Sequence, residues 1–248
     1  PTSGRIYRLR GKDALLETDF NLAAKSSMQL VALLSHPNKW HRSTAVRLLG
    51  ERKDPVVIPA LQKAVASDTG LGALWALYQT TGLDEATALV GLAHPQAAVR
   101  LWTVRLLGDT YGVNRNLGAG RFGGPGTLPA PLFQALLARA RTDSDAELLS
   151  QIACSARRLD PAQGLPLVAA LLSHDEAAHD PFLPLLCWWV FEAHIPAANP
   201  AILALFEKPE FWDGAMVLEQ LLPRLARRYA VEGRRQDLLL CAKLFQTA

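Results

Sequence analysis

Apolar residues in this chain recur three and four apart from Ser26 almost to the last residue. That spacing gathers leucine, alanine and valine on one stripe of an α-helix and leaves charge on the other side. The first residues differ. Gly4-Arg5-Ile6-Tyr7-Arg8-Leu9 alternates polar and apolar positions, the period of a strand. A lone strand has nothing to pair with in a helical chain. Residues 1–25 therefore read as an extended segment, the tail of a preceding domain, and residues 26–248 as one helical unit.

Start and stop signals divide that unit. Ser26 with Gln29 forms a capping box. Asp54-Pro55, Asp160-Pro161, Asp180-Pro181 and Asn199-Pro200 each set a side-chain oxygen before a proline, an opening suited to the free N–H groups of a first turn. His36-Pro37 and His94-Pro95 are looser versions, and Ser144 with Glu147 is a second capping box. Gly50, Gly82 and Gly108 stand where C-terminal caps are expected. The spacing predicts helices over roughly 26–35, 38–51, 55–66, 70–81, 84–93, 96–110, 129–141, 145–158, 161–173, 181–194, 200–207, 211–230 and 235–246. Short connections make consecutive helices antiparallel neighbours.

One phrase is said twice. Leu34-Ser35-His36-Pro37 leads into Val46-Arg47-Leu48-Leu49-Gly50-Glu51, and Leu92-Ala93-His94-Pro95 leads into Val104-Arg105-Leu106-Leu107-Gly108-Asp109, 58 positions later. Arg42 and Arg100 match in the same register. Four predicted helices fit that offset, or two hairpins of about 29 residues each. An internal repeat of this size signifies a stacked array. The expected fold is thus all-α, an α-α superhelix of about six helical hairpins. The glycines and prolines of 112–131 interrupt it, and an insertion in a repeat array projects from one face, often the binding face.

Composition changes this picture little. Half the residues are hydrophobic, a fifth are charged, and the net charge is +3. A dedicated nucleic-acid binder carries a marked basic excess. Cys154, Cys187 and Cys241 form no CxxC pair, and each sits among apolar neighbours, as a buried free thiol would. The longest apolar run, Phe182 to Ala193, suits a core helix and is too short to span a bilayer. The chain begins at Pro1 without methionine, as a processed chain or a piece of a longer one would.

The stretches His36-Pro37-Asn38-Lys39-Trp40-His41-Arg42, Ala45 to Pro55 and Ala73-Leu74-Trp75-Ala76-Leu77 resemble short HEAT repeats, including the PBS-lyase HEAT-like type of the HEAT/armadillo-like solenoids. They are similar in particular to the HEAT segment of large membrane-bound dehydrogenase-type proteins of planctomycete and verrucomicrobial bacteria. In those a β-propeller similar to sorbosone or glucose dehydrogenases precedes the HEAT segment, and a c-type cytochrome with a CxxCH haem site follows. The resemblance covers residues 1–110, with Gly4 to Leu9 similar to the closing propeller strand. It implies a periplasmic setting, propeller and cytochrome c-like neighbours, and haem in a following domain. This chain has no CxxCH and no propeller, so neither site carries over, and no cofactor is expected in this segment.

Candidate chemistry is sparse. His36 and His41, like His174 and His179, lie five apart, whereas helical zinc ligands want three or four. The glycine-rich stretch lacks the Gly-Lys-Ser/Thr ending of a phosphate loop. Tryptophans at corresponding helix positions read as filling between hairpins. Arg42, Arg47, Arg100 and Arg105 recur in register; one of each pair is expected to reach a neighbouring hairpin's carboxylate, such as Glu51 or Asp109, and a positive stripe for a partner is the alternative. Arg224, Arg227, Arg228, Arg234 and Arg235 form a basic face near the end. Aromatics and arginine dominate binding hot spots. The partner-binding candidates are accordingly Trp40, His41, Arg42, Arg100, Arg121, Phe122 and Trp212, with no catalytic or metal set. The expected function is a non-catalytic scaffold for protein partners or adjacent domains, without nucleic acid. The alternative is a HEAT-like enzyme on nucleic acid, of the DNA glycosylase type.

Overall fold

A computed structural model describes residues 18–113, 126–231 and 233–246, together with positions 4, 7, 9, 11 and 12. The alternating segment 4–9 and the central part of the glycine-rich stretch lie largely outside the described residues. From Ser26 onward the described chain is helical, and no strand occurs among the described residues.

Five hairpins follow one another. The first pairs α1 (Ser27–Ala32), continued by a 3₁₀ turn Leu33–Ser35, with α2 (Lys39–Arg52). The second pairs α3 (Ile58–Val65) with α4 (Gly70–Thr81), and the third α5 (Glu85–Ala93) with α6 (Ala97–Tyr111). Beyond the glycine-rich stretch come α7 (Ala130–Thr142) with α8 (Ala146–Ala156), then α9 (Pro161–Leu171) with α10 (Leu183–Phe206). A π-helical segment Met216–Leu221, α11 (Leu222–Val231) and α12 (Arg235–Phe245) close the array.

The second helices form one row: α2 packs on α4, α4 on α6, α6 on α8, α8 on α10. The first helices form the other: α3 on α5, α5 on α7, α7 on α9. This is a HEAT-like helical solenoid. Its core lies between the rows, an unbroken band of Leu, Ala and Val from Leu22 to Leu244. Burying that band is the main favourable term, because each hairpin covers its apolar stripe only against its neighbours.

Local signals explain most boundaries. At Ser26 the hydroxyl accepts from the Gln29 amide at 3.2 Å, and the Gln29 side chain accepts from the Ser26 amide at 2.7 Å. Asp54 accepts from Val56 N, and Asp180 from the amides of Phe182 and Leu183. The His-Pro turns use a ring nitrogen: His36 Nδ1 accepts from Asn38 N at 3.0 Å, and His94 Nδ1 from Gln96 N at 3.1 Å.

Several expectations change, among them the helix expected over 211–230, which starts only at Met216 and opens as a π-helical segment. Gly50 and Gly108 are not caps; both lie inside helices, α2 and α6. A Cβ on Gly50 would stand 2.7 Å from Gln79 Cβ, and one on Gly108 2.7 Å from Ser155 Oγ, so each marks the closest approach to the next second helix. The cap of α2 is Lys53, in the left-handed region at φ 50°. Asp145, not Ser144, caps α8, accepting from Leu148 N at 2.9 Å. Asp160 and Asn199 have other employment: Asp160 accepts from the Thr127 hydroxyl at 2.6 Å, and Asn199 from the Tyr229 hydroxyl at 2.8 Å. The helices expected at 181–194 and 200–207 run together as α10, kinked at Ala198 between Pro196 and Pro200.

The cysteines are all free thiols. Cys187 is buried, as expected, whereas Cys154 is exposed and Cys241 half-buried.

Candidate partner-binding surface

The turns between first and second helices line one rim of the array and carry part of its polar stitching. His94 sits in the α5–α6 turn. Its Nδ1 accepts from Gln96 N, which leaves Nε2 to donate back to Ser67 O in the preceding turn, at 3.2 Å. His174, after α9, repeats the move and reaches back to Ala140 O at 2.8 Å. Arg100 reaches the other way. Its Nη2 and Nε meet the Asp143 carboxylate at 2.9 and 2.8 Å in the next turn, α7–α8. Asp143's side chain is only 3% exposed, so this ion pair is a buried one. Histidine binds backward and arginine forward, each one hairpin at a time.

The expected partner residues divide sharply. Trp40, at the start of α2, is 47% exposed, stands edge-on to Phe20 with centroids 6.2 Å apart, and forms a small aromatic ledge with it. His41 is buried beneath that ledge, stacked on His36 at 4.1 Å. Arg42 is half-buried and borders an open cleft of about 590 Å³ between the first two hairpins. Arg100 is spent on Asp143. Trp212 is half-buried, donating from Nε1 to Phe206 O at 2.7 Å and packed on the Phe206 ring. Arg121 and Phe122 lie outside the described residues. The structure thus brings Trp40, His41 and Arg42 together at the first turn and leaves Trp212 near the opposite end.

Of the repeated arginines, Arg100 reaches a carboxylate of the next hairpin as expected, though it is Asp143 and not Glu51 or Asp109. Arg47 pairs with Glu51 on its own helix at 2.6 Å, a solvated pair of small energetic weight. Asp109 pairs with Arg158 of the next second-row neighbourhood at 2.6 Å. Arg105 lies over the Trp102 ring at 5.1 Å, and Trp102 is edge-on to Trp75 at 5.0 Å. Trp75 and Trp102 thus fill the seam between α4 and α6 as expected, whereas Trp40 and Trp189 are exposed.

Reactive chemistry is muted. Full burial pushes the Cys187 thiol up, and the partial desolvation of Cys154 at the surface does the same against the pull of Arg157 and Arg105; a raised thiol is a poor nucleophile. At Asp84, the cap of α5, burial works upward, but hydrogen bonds from the Thr87 amide, Gln62 and the Thr87 hydroxyl outweigh it and hold the carboxyl below its usual range. That is the behaviour of a structural cap. Among the described residues no three His, Cys, Asp or Glu side chains gather as a metal site, and no helix is long and apolar enough to cross a membrane.

Sequence reading missed Asp68 and Asp143. Both fall in turns between a first and a second helix, and aligning the turns instead of the helices would have found them.

Stacked antiparallel hairpins with a polar rim define a helical-repeat protein. Residues 27–108, from α1 into α6, match the family of HEAT repeats. The comparisons with curated proteins and with solved structures gave no match.

Proposed function

We propose that the chain is a non-catalytic scaffold that grips protein partners or adjacent domains along its rim, as HEAT repeats generally do. The observation that carries this reading is the first turn, where Trp40 is exposed and Arg42 borders an open cleft, whereas Arg100, in the same place of the third hairpin, is closed on Asp143. An exposed tryptophan and an arginine in one turn are the residue types that dominate hot spots. Within that reading, the partners are neighbours in a larger extracytoplasmic dehydrogenase-type protein, a propeller and a haem-bearing cytochrome c-like domain. The glycine-rich stretch serves as a second docking point through Arg121 and Phe122.

The nucleic-acid alternative is disfavoured by how the arginines are used. Arg47, Arg100 and Arg158 each face a carboxylate, and a phosphate-binding groove needs such cations uncommitted.

The test is calorimetry of the intact chain with propeller and cytochrome domains supplied separately, alongside a DNA duplex at about 50 and 200 mM salt, conditions between which phosphate contacts collapse. Protein binding that weakens when 114–126 is deleted, with unchanged helical circular dichroism, supports the scaffold and the docking loop. Full affinity in the deletion ends the loop's role. Steeply salt-dependent DNA binding, with no protein binding, ends the scaffold reading.

A further inference from the structure

Arg42 and Arg100 occupy the same place in α2 and α6, and they use one nitrogen alike. Arg42 Nη1 donates to the carbonyls of His36 and Pro37 at 2.7 and 2.8 Å. Arg100 Nη1 donates to those of His94 and Pro95, both at 2.9 Å. The remaining edge of Arg100 holds Asp143, delivered by the following turn. The remaining edge of Arg42 has no carboxylate within ion-pair distance among the described residues. The turn in the matching place carries Asp68, which is exposed and borders the same cleft without closing on the arginine. Where the third hairpin has a filled socket, the first has a cleft of about 590 Å³. Arg42 and Lys39 contribute its positive charge, and Leu34, Val46, Leu71 and Trp75 contribute apolar wall.

We propose that this cleft receives an acidic side chain, aspartate or glutamate, presented on a turn of a protein partner, as Asp143 is presented to Arg100. The proposal rests on the scaffold reading and names the chemistry of its partner. Arg42 is held in place by two carbonyls before any ligand arrives, so little freedom is lost on binding. Its free edge offers planar, paired N–H donors that match a carboxylate. Apolar walls lower the local dielectric and strengthen the pair, and Lys39 adds a second cation. The volume lies in the range that encloses a side chain with its flanking residues.

The intact chain, labelled at the arginine side chains, is titrated by nuclear magnetic resonance with the blocked tetrapeptide Thr-Asp-Ser-Asp, the sequence of residues 142–145. Parallel titrations use the Thr-Asn-Ser-Asn peptide and acetate. The Arg42 Nε–H signal should move and saturate with a dissociation constant of about 1 mM. The asparagine peptide should bind about tenfold more weakly, as loss of a charge-assisted pair requires. Backbone amides lining the cleft, followed in the same titrations, should stop responding in Arg42→Gln, should respond at lower peptide concentration in Asp68→Asn, which removes a charge like that of the incoming acid, and should respond unchanged in Arg105→Gln. Because Asp68 is exposed, its variant keeps the test decisive if Arg42→Gln unfolds. Equal binding of both peptides, saturation by acetate alone at the same concentration, or no shift up to about 10 mM overturns the proposal. A protein partner that binds wild-type and Arg42→Gln chains alike also overturns it, and leaves the scaffold reading standing.

Discussion

Thr103 fills the space that a side chain at Gly91 would need. A Cβ on Gly91 would stand 2.3 Å from Thr103 Oγ1, and that hydroxyl is itself committed to Val99 O at 2.8 Å. The helix pair α5–α6 can close only because residue 91 carries no side chain.

Gly91→Ala should therefore destabilise the chain by about 1–3 kcal/mol, the usual penalty for overpacking a buried contact. Adding Thr103→Ala should return part of that loss, since the two positions share one space. Urea midpoints of the two single variants and the double variant check this. Strictly additive losses would mean the clash is absorbed elsewhere.

Removing Arg100 takes the closest cation from buried Asp143 and leaves it only Arg139, at 3.8 Å, and the Asp145 amide. Arg100→Ala should cost about 3–5 kcal/mol, as expected when one member of a buried pair is lost. Asp143→Asn keeps a polar acceptor for the guanidinium and should cost less. Arg47→Ala, whose pair with Glu51 is solvated, should lie within about 0.5 kcal/mol of wild type. Thermal unfolding of the three variants gives the order.

Lys53 holds a left-handed conformation at the end of α2. A side chain there is strained by about 1 kcal/mol, and glycine is not. Lys53→Gly should raise stability by about that amount, offset in part by the greater freedom of glycine in the unfolded chain. A lower melting temperature would show that the Lys53 side chain does more than end a helix.

Tyr229 is buried, and its hydroxyl bonds to Asn199; burial pushes its pKa up to about 12, with Arg228 pulling the other way. The unfolded phenol ionises near pH 10. Since the folded value is the higher one, this group's contribution is intact below about pH 10 and is lost as pH climbs toward 12. Tyr229→Phe should be less stable at neutral pH through the lost bond to Asn199, and its stability should fall less steeply across that alkaline window. Denaturant midpoints from pH 8 to 12 read the difference in slope, with 12 taken from the folded value.

Which parts of this structure the sequence announced depends on how local their cause is. The Ser26–Gln29 box and the Asp54 and Asp180 caps were legible because each is a bond within one turn. The repeat was legible because matched hairpins need matched residues. Gly50 and Gly108 were read as stops because a glycine at a helix end looks the same, in one dimension, as a glycine at a helix crossing; only Gln79 and Ser155 tell them apart. Asn199 was read as a cap because its bond to Tyr229 spans 30 residues. Trp40 and Arg42 were found as surface through residue type. The same rule also singled out Arg100, whose fate turns on Asp143, 43 positions away.

The two-row arrangement has a mechanical corollary. Tension applied at the ends of such a stack loads its seams in series, so it yields by small openings shared among many joints. The histidine and arginine stitches at the rim act as stops on each joint. The cleft beside Arg42 lacks such an ion-pair stop, and an acid seated there would add one to the joint between the first two hairpins.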